Sequence, residues 1–260
     1  MAGRVTRAAA ICCLAGGWVS SAAASDSQDR RYETVWNIEL DQSQTGIRSV
    51  TVDQPVLEQR LLPFGLAVTE EDIRSETGDV LVEKGRQLFQ LQVAQGKTFC
   101  LASVPRPSAF RTIMLGGGNL QLCLIDSDAD GTFDGHFNGG NPMRGVPFIK
   151  GRQPANPKRA SGKYSLLAPD QFALRYTVRI LLSHARMPAS GEPLIVYRID
   201  FGDDQTRQGL TSAISGTLGH MSILGAQWEA RAIDGSTAKI EVISPMPNRP
   251  FQVERSVSYR

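Results

Sequence analysis

Period-two alternation of apolar residues dominates this chain. Between positions 172 and 180, Phe172, Leu174, Tyr176, Val178 and Ile180 alternate with Ala173, Arg175, Thr177 and Arg179. Ile195, Tyr197, Ile199 and Phe201 form a second such row. A strand turns successive side chains to opposite faces, so rows of this kind bury one face and leave the other wet. Trp228, Ala230 and Ala232, then Asp234-Gly235, then Ile240 and Val242 read as a hairpin closed by a tight turn. Further strands are expected at 79–82, 88–93, 98–102 and 120–125, with turns at Lys84-Gly85 and Gly96-Lys97. One short helix is expected at 70–76. The predicted fold class is all-β, an antiparallel β-sandwich or partly open barrel with at most one or two short helices.

The start of the chain has the pattern of a Sec-type export signal. Arg4 and Arg7 precede the apolar stretch 8–19, and Ala22-Ala23-Ala24 offers a small-residue cleavage site before Ser25. Residues 1–24 are therefore expected to be removed, leaving a β-rich unit over 25–260. Cys12 and Cys13 do not suit a lipid anchor, because Ile11 and Cys12 stand where a lipoprotein signal needs a small residue. The apolar stretch is also short for a membrane span, and no later segment reaches that length. The net charge of +2 belongs to the signal. Without Arg4 and Arg7, bases and acids balance, which removes any global-charge argument for nucleic acid. Cys100 and Cys123 then remain, an even pair expected to form a disulfide in an oxidising compartment. The alternative is a nucleophilic thiol served by His136 or His184, but no cysteine-enzyme signature surrounds either residue. No Asn-x-Ser/Thr site lies beyond the signal, which fits a bacterial envelope. The expected location is periplasmic or secreted.

The chemistry of the chain is concentrated in Asp126-Ser127-Asp128-Ala129-Asp130-Gly131-Thr132-Phe133-Asp134. Three carboxylates at alternate positions can converge on one hard cation. Gly131 allows the sharp turn, the Thr132 carbonyl would supply a further oxygen, and Asp134 would bind directly or through water. The loop resembles those of EF-hand, dockerin and thrombospondin-type calcium sites, over these residues alone. It departs from the EF-hand at the twelfth position, Phe137, where that motif has a bidentate glutamate. Flanking helices are also missing, since 120–125 reads as a strand and 135–140 as no helix. The expectation is one weakly held calcium ion on Asp126, Asp128, Asp130, Thr132 and Asp134, on a static loop. The competing reading is an acidic turn whose charge is neutralised by neighbouring Lys and Arg.

The segment 138–163 is rich in Gly and Pro and carries Arg144, Lys150, Arg152, Lys158, Arg159 and Lys163 with no acid. It reads as a long surface loop, or a linker between two halves, able to meet an anionic envelope component. With Phe148 as its one aromatic, it is a poor nucleic-acid surface. No nucleophile elbow, zinc signature or P-loop occurs, and His136, His184 and His220 are scattered. Gly116-Gly117-Gly118 precedes no helical pattern and reads as a turn or close packing, not a phosphate cradle. The expected function is an exported, non-catalytic calcium-binding β-protein, a surface- or carbohydrate-binding module. The alternative is a secreted β-scaffold hydrolase with dispersed catalytic residues, which a cleft gathering a histidine with carboxylates or a serine would favour.

Overall fold

A computed structural model describes residues 30–102, 119–141, 146–186, 194–203, 208–216, 218–234 and 236–252. The expected signal 1–24 and Gly116–Gly118 lie outside the described residues. The described chain is all-β: every strand pairing is antiparallel, and the only helical turns are short 3-10 turns at Gln42–Gln44 and Pro169–Gln171. Among the described residues, no helix is long and apolar enough to cross a membrane.

The largest sheet has eleven strands. Its main path runs β12 (Lys150–Arg152), β1 (Arg31–Thr34), β8 (Gln87–Val93), β9 (Lys97–Leu101), β10 (Asn119–Asp126), β11 (Gly135–Asn141), β13 (Lys158–Ser161), β6 (Ile73–Ser75) and β7 (Val80–Val82). Along one edge, β8 is shared. Its second half pairs with β1, and its first half pairs with β5 (Leu66–Thr69), which in turn pairs with β14 (Tyr164–Leu167). The start of β14 meets the loop after β10: Phe133 N–H donates to Gly162 O at 3.0 Å and Tyr164 N–H to Gly131 O at 3.2 Å. The sheet thus curls back on itself around a small core of Ala67, Ile73, Val82, Leu88, Phe99, Leu124, Phe133, Ala160 and Tyr164.

A six-stranded sheet runs β17 (Gln208–Gly216), β16 (Leu194–Gly202), β15 (Tyr176–Arg186), β4 (Pro55–Pro63), β2 (Trp36–Ile38) and β21 (Pro250–Phe251). A four-stranded sheet runs β18 (Gly219–Ile223), β19 (Ala226–Asp234), β20 (Thr237–Ser244) and β3 (Gly46–Thr51). These two sheets and the other face of the eleven-stranded sheet enclose the main core, in which Trp36, Trp228 and Tyr197 are fully buried. Tyr197 of β16 packs edge-on against Trp228 of β19 with ring centres 5.1 Å apart. Edge-to-face contact places the positive rim of one ring on the negative face of the other. Trp36 donates its indole N–H to Pro147 O at 2.9 Å, so its polar end is satisfied inside the core.

Most expected strands stand where the alternation placed them, including the β19–β20 hairpin. Three expectations are corrected. Residues 70–76 form no helix, because the segment offers a helix one buried apolar side chain, Ile73. Instead Ile73–Ser75 is a strand between β13 and β7. The strand expected from 172 begins at Tyr176. Before it, Arg60 donates to Asp170 O and Phe172 O, holding the chain in the Pro169–Gln171 turn. The segment 138–163 is no structureless loop, since β12, β13 and most of β11 lie within it. Its glycines mark close packing: a Cβ on Gly139 would stand 3.1 Å from Ile149, and one on Gly151 would stand 2.7 Å from the Tyr32 hydroxyl.

Cys100 and Cys123 are bonded, with Cα atoms 4.0 Å apart, as direct register partners of β9 and β10. The bridge therefore pins β10, which leads into the acidic loop, to its neighbour β9. With 23 residues of separation, chain-entropy reasoning gives the crosslink about 3 kcal/mol. Replacing both cysteines by alanine should lower the unfolding free energy by about that amount in urea titration.

Candidate metal centre

Asp126 ends β10 on the face that carries Leu124, so the ladder itself points it toward the small core. It is fully buried, whereas Asp128 and Asp130 are exposed. Ligand oxygens of the three lie within 4.8 Å of one another. The loop bends to allow this, with Ala129 at φ 62° and Gly131 at φ 92°. Glycine adopts the left-handed region freely, while Ala129 does so at some cost.

Backbone amides fix the carboxylates. Asp126 Oδ1 accepts from Asp130 N–H at 3.2 Å, and Oδ2 accepts from Gly131 N–H at 3.1 Å. Asp128 Oδ1 lies 3.3 Å from the Asp130 amide, and Asp130 Oδ1 accepts from Thr132 N–H at 2.7 Å. Each carboxylate thereby keeps lone pairs free for another partner. Asp134 does not join the three: its Oδ2 accepts from Ser127 N–H at 2.7 Å and so ties the two ends of the loop. Thr132 bridges to Lys163 in the backbone ladder. Phe137 lies in β11 with its ring 5.3 Å from Tyr32, and supplies no oxygen at the twelfth position.

The side chain that most defines the site, Tyr164, is absent from the sequence reading. Its hydroxyl donates to Asp126 Oδ2 at 2.6 Å from 38 residues away. Its ring stacks on Phe133 at 4.6 Å and tilts against Phe99 at 4.9 Å. Burial, then the hydrogen bond to Asp126, then the charges of Asp126 and Asp130 push the phenol pKa well up, so it remains a donor. Gly96 is the second contributor missed. A Cβ there would stand 2.6 Å from Asp126 O, so the β8–β9 turn can approach the loop only as glycine. The Gly96-Lys97 dipeptide was a visible turn signal, but nothing local tied it to the aspartates.

Among the described residues, no Lys or Arg forms an ion pair with Asp126, Asp128, Asp130 or Asp134. Lys150, one of the expected neutralising bases, instead meets Glu33 at 3.8 Å. Arg144 lies outside the described residues. The three aspartates can thus hold a metal ion with oxygen ligands alone. Among the described residues no second group of three His, Cys, Asp or Glu converges in this way.

The histidines sit on three different sheets. His136 on β11 faces Leu124 and Lys158, with a buried Nδ1 that has no hydrogen-bond partner. Burial first, and then the charge of Lys158, lower its pKa. His184 is exposed at a bulge in β15, and His220 is exposed on β18. No family model, curated protein or solved structure matches the chain.

Tyr164→Phe leaves the ring packing intact and removes one donor from a buried carboxylate. A hydrogen bond to a charged group contributes about 1.5–3 kcal/mol. Metal-free Tyr164→Phe should be less stable by that amount in urea titration, with the circular-dichroism spectrum of the folded state unchanged.

Proposed function

We propose that the chain is an exported, non-catalytic calcium-binding β-protein of a bacterial envelope or secreted fraction, acting as a surface- or carbohydrate-binding module. The observation that carries this reading is the convergence of Asp126, Asp128 and Asp130 at the end of β10, with no ion pair to a cationic side chain among the described residues. An all-oxygen donor set suits a hard cation; the absence of His and Cys argues against zinc or copper. Two exposed carboxylates beside one buried one, open to water, suit calcium, whose coordination number and geometry are flexible, better than magnesium, which demands near-ideal octahedral geometry. Asp134 and the Thr132 carbonyl are within the loop to complete the shell directly or through water. Without a bidentate glutamate at Phe137, the expected Kd is about 10⁻⁴–10⁻³ M, in the range of extracellular modules.

The ion would act as a fixture, not a switch. Both ends of the loop enter a sheet, and among the described residues no paired helices exist to open. The Cys100–Cys123 bond supports an oxidising location, as does the Arg4, Arg7 and Ala22–Ala24 pattern at the start.

Calorimetric titration of chelator-stripped protein should show one calcium site at millimolar concentration and weaker heat with magnesium. Calcium at ten times Kd should add about 1.4 kcal/mol to stability by mass action. Asp128→Ala should abolish that gain and leave the metal-free melting temperature unchanged or raised, because it removes like-charge repulsion. Asp130→Ala should also abolish the gain, but with a slightly lower metal-free melting temperature, since Thr132 N–H loses its acceptor. Calcium binding that survives both substitutions would refute the site. Export is checked separately by N-terminal sequencing of protein recovered from the periplasm or medium, which should begin at or near Ser25.

A further inference from the structure

The outer strand β12 and its neighbour β1 set two arginines face to face. Arg31 and Arg152 are register partners, and Gln153 N–H donates to Arg30 O at 2.9 Å just beyond them. That bond places Arg31 and Arg152 at a non-hydrogen-bonded position of the ladder, where opposed side chains approach most closely. Like charges directly opposed across a ladder destabilise it. The nearest acid on this face is Glu33, and Lys150 already pairs with it. Among the described residues, Arg31 and Arg152 have no hydrogen-bonded or ion-paired side-chain partner.

Arg31 and Arg152 line a cleft of about 590 Å³ together with Lys150, Glu33, Gln92 and Ala94. The floor beneath them is fixed. Tyr32, between Arg31 and Glu33, is 7% exposed and packs on Phe137. Gly151, between Lys150 and Arg152, lets β12 lie across the Tyr32 hydroxyl at a distance no Cβ would allow. The alternation that sends Tyr32 inward sends Arg31 and Glu33 outward, so the cationic pair is positioned by strand geometry and not by a loop.

We propose that this cleft binds a dianionic phosphoryl group, with Arg31 and Arg152 as fork-shaped donors and Lys150 as an additional positive charge. Two guanidiniums in register match the charge of a phosphate monoester, whose tetrahedral oxygens can meet both forks. A single carboxylate carries half that charge and can occupy one fork fully. The site is independent of the acidic loop. It narrows the anionic contact expected along 138–163 to Lys150 and Arg152, and adds Arg31 from outside that segment. The phosphoryl group can belong to a soluble phosphate ester or to a lipid headgroup.

The test titrates the full chain with inorganic phosphate by calorimetry, with acetate as the monoanion control. In parallel, the protein is sedimented with phosphatidylcholine vesicles with and without phosphatidic acid. Phosphate should bind, and Arg31→Gln/Arg152→Gln should weaken it at least about tenfold, the loss of one charge-assisted fork. Lys158→Gln/Arg159→Gln, on β13, should bind as the parent does. Sedimentation that requires phosphatidic acid and is lost in the Arg31/Arg152 variant assigns a lipid source. Phosphate binding without sedimentation assigns a soluble one. The proposal falls if neither probe binds, if the Arg31/Arg152 variant binds like the parent, or if acetate binds as tightly as phosphate. The double glutamine variant should also melt no lower than the parent, since it removes a repulsion. A clear drop would mark the arginines as structural and overturn the assignment.

Discussion

The central strands of the eleven-stranded sheet are buried on both faces, and the remaining architecture depends on this. Leu88, Phe99 and Leu124 point into the small core, while their neighbours Phe89, Cys100 and Cys123 point into the main one. A strand with one wet face could carry the charged residues seen at alternate positions elsewhere; the middles of β8, β9 and β10, at Leu88–Phe89, Thr98–Cys100 and Cys123–Leu124, cannot. Each residue along these segments must therefore be apolar or internally satisfied. The disulfide fills the main-core face at the point where β9 meets β10. On the opposite face, the same strand delivers Asp126 into the rim of the small core. The crosslink and the acidic loop are thus consequences of one strand buried from two sides.

A buried carboxylate in such a place needs compensation. An isolated charge transferred into low dielectric is strongly unfavourable unless it is paired or hydrogen-bonded. Asp126 has three donors, two amides of its own loop and the Tyr164 hydroxyl. These also draw β14 onto the end of β10 and so help to close the small barrel. Asp128 and Asp130 add like charge at short range. Two carboxylates about 5 Å apart repel by about 1 kcal/mol in water and about 3 kcal/mol at an effective dielectric of about 20. The loop is held together against that repulsion by its amides and by Asp134 closing its ends. A divalent cation would convert the same arrangement from repulsive to attractive without moving the scaffold.

The sequence revealed what is local or periodic. Alternation along 172–180 and 195–201, the Asp234-Gly235 turn and the even cysteine pair each carry their cause within a few residues. Asp126, Asp128 and Asp130 were equally visible, because the spacing of a metal loop is itself local. Tyr164 was not, since its role comes from the pairing of β14 with β5 and from the curl of the sheet. The segment 138–163 misled for a related reason. Its glycines read as flexibility, yet Gly139 and Gly151 are small because Ile149 and Tyr32 press against them. A glycine demanded by close packing and one demanded by a loose loop look alike until the neighbour is known. Likewise, 70–76 carried helix-compatible residues, but only pairing with β7 and β13 could show that Ile73 was a strand residue.

Charge in this chain is segregated, and that bears on the two readings of the acidic loop. If the basic residues of 138–163 neutralised the aspartates, ion pairs to the loop would be expected. The backbone does bring Lys163 beside the loop, as the bridge partner of Thr132, but among the described residues it forms no ion pair with an aspartate. Lys150 and Arg152 stand on β12, four strands from β10 in the order of the sheet, and neither is ion paired to the loop. Lys158 and Arg159 are nearer, on the strand beside β11, but neither is ion paired to the loop. A nearly balanced total therefore conceals an acidic rim with no ion pair among the described residues and a basic edge in which Lys150 alone is paired. These are the two places where the proposed cation and anion would bind.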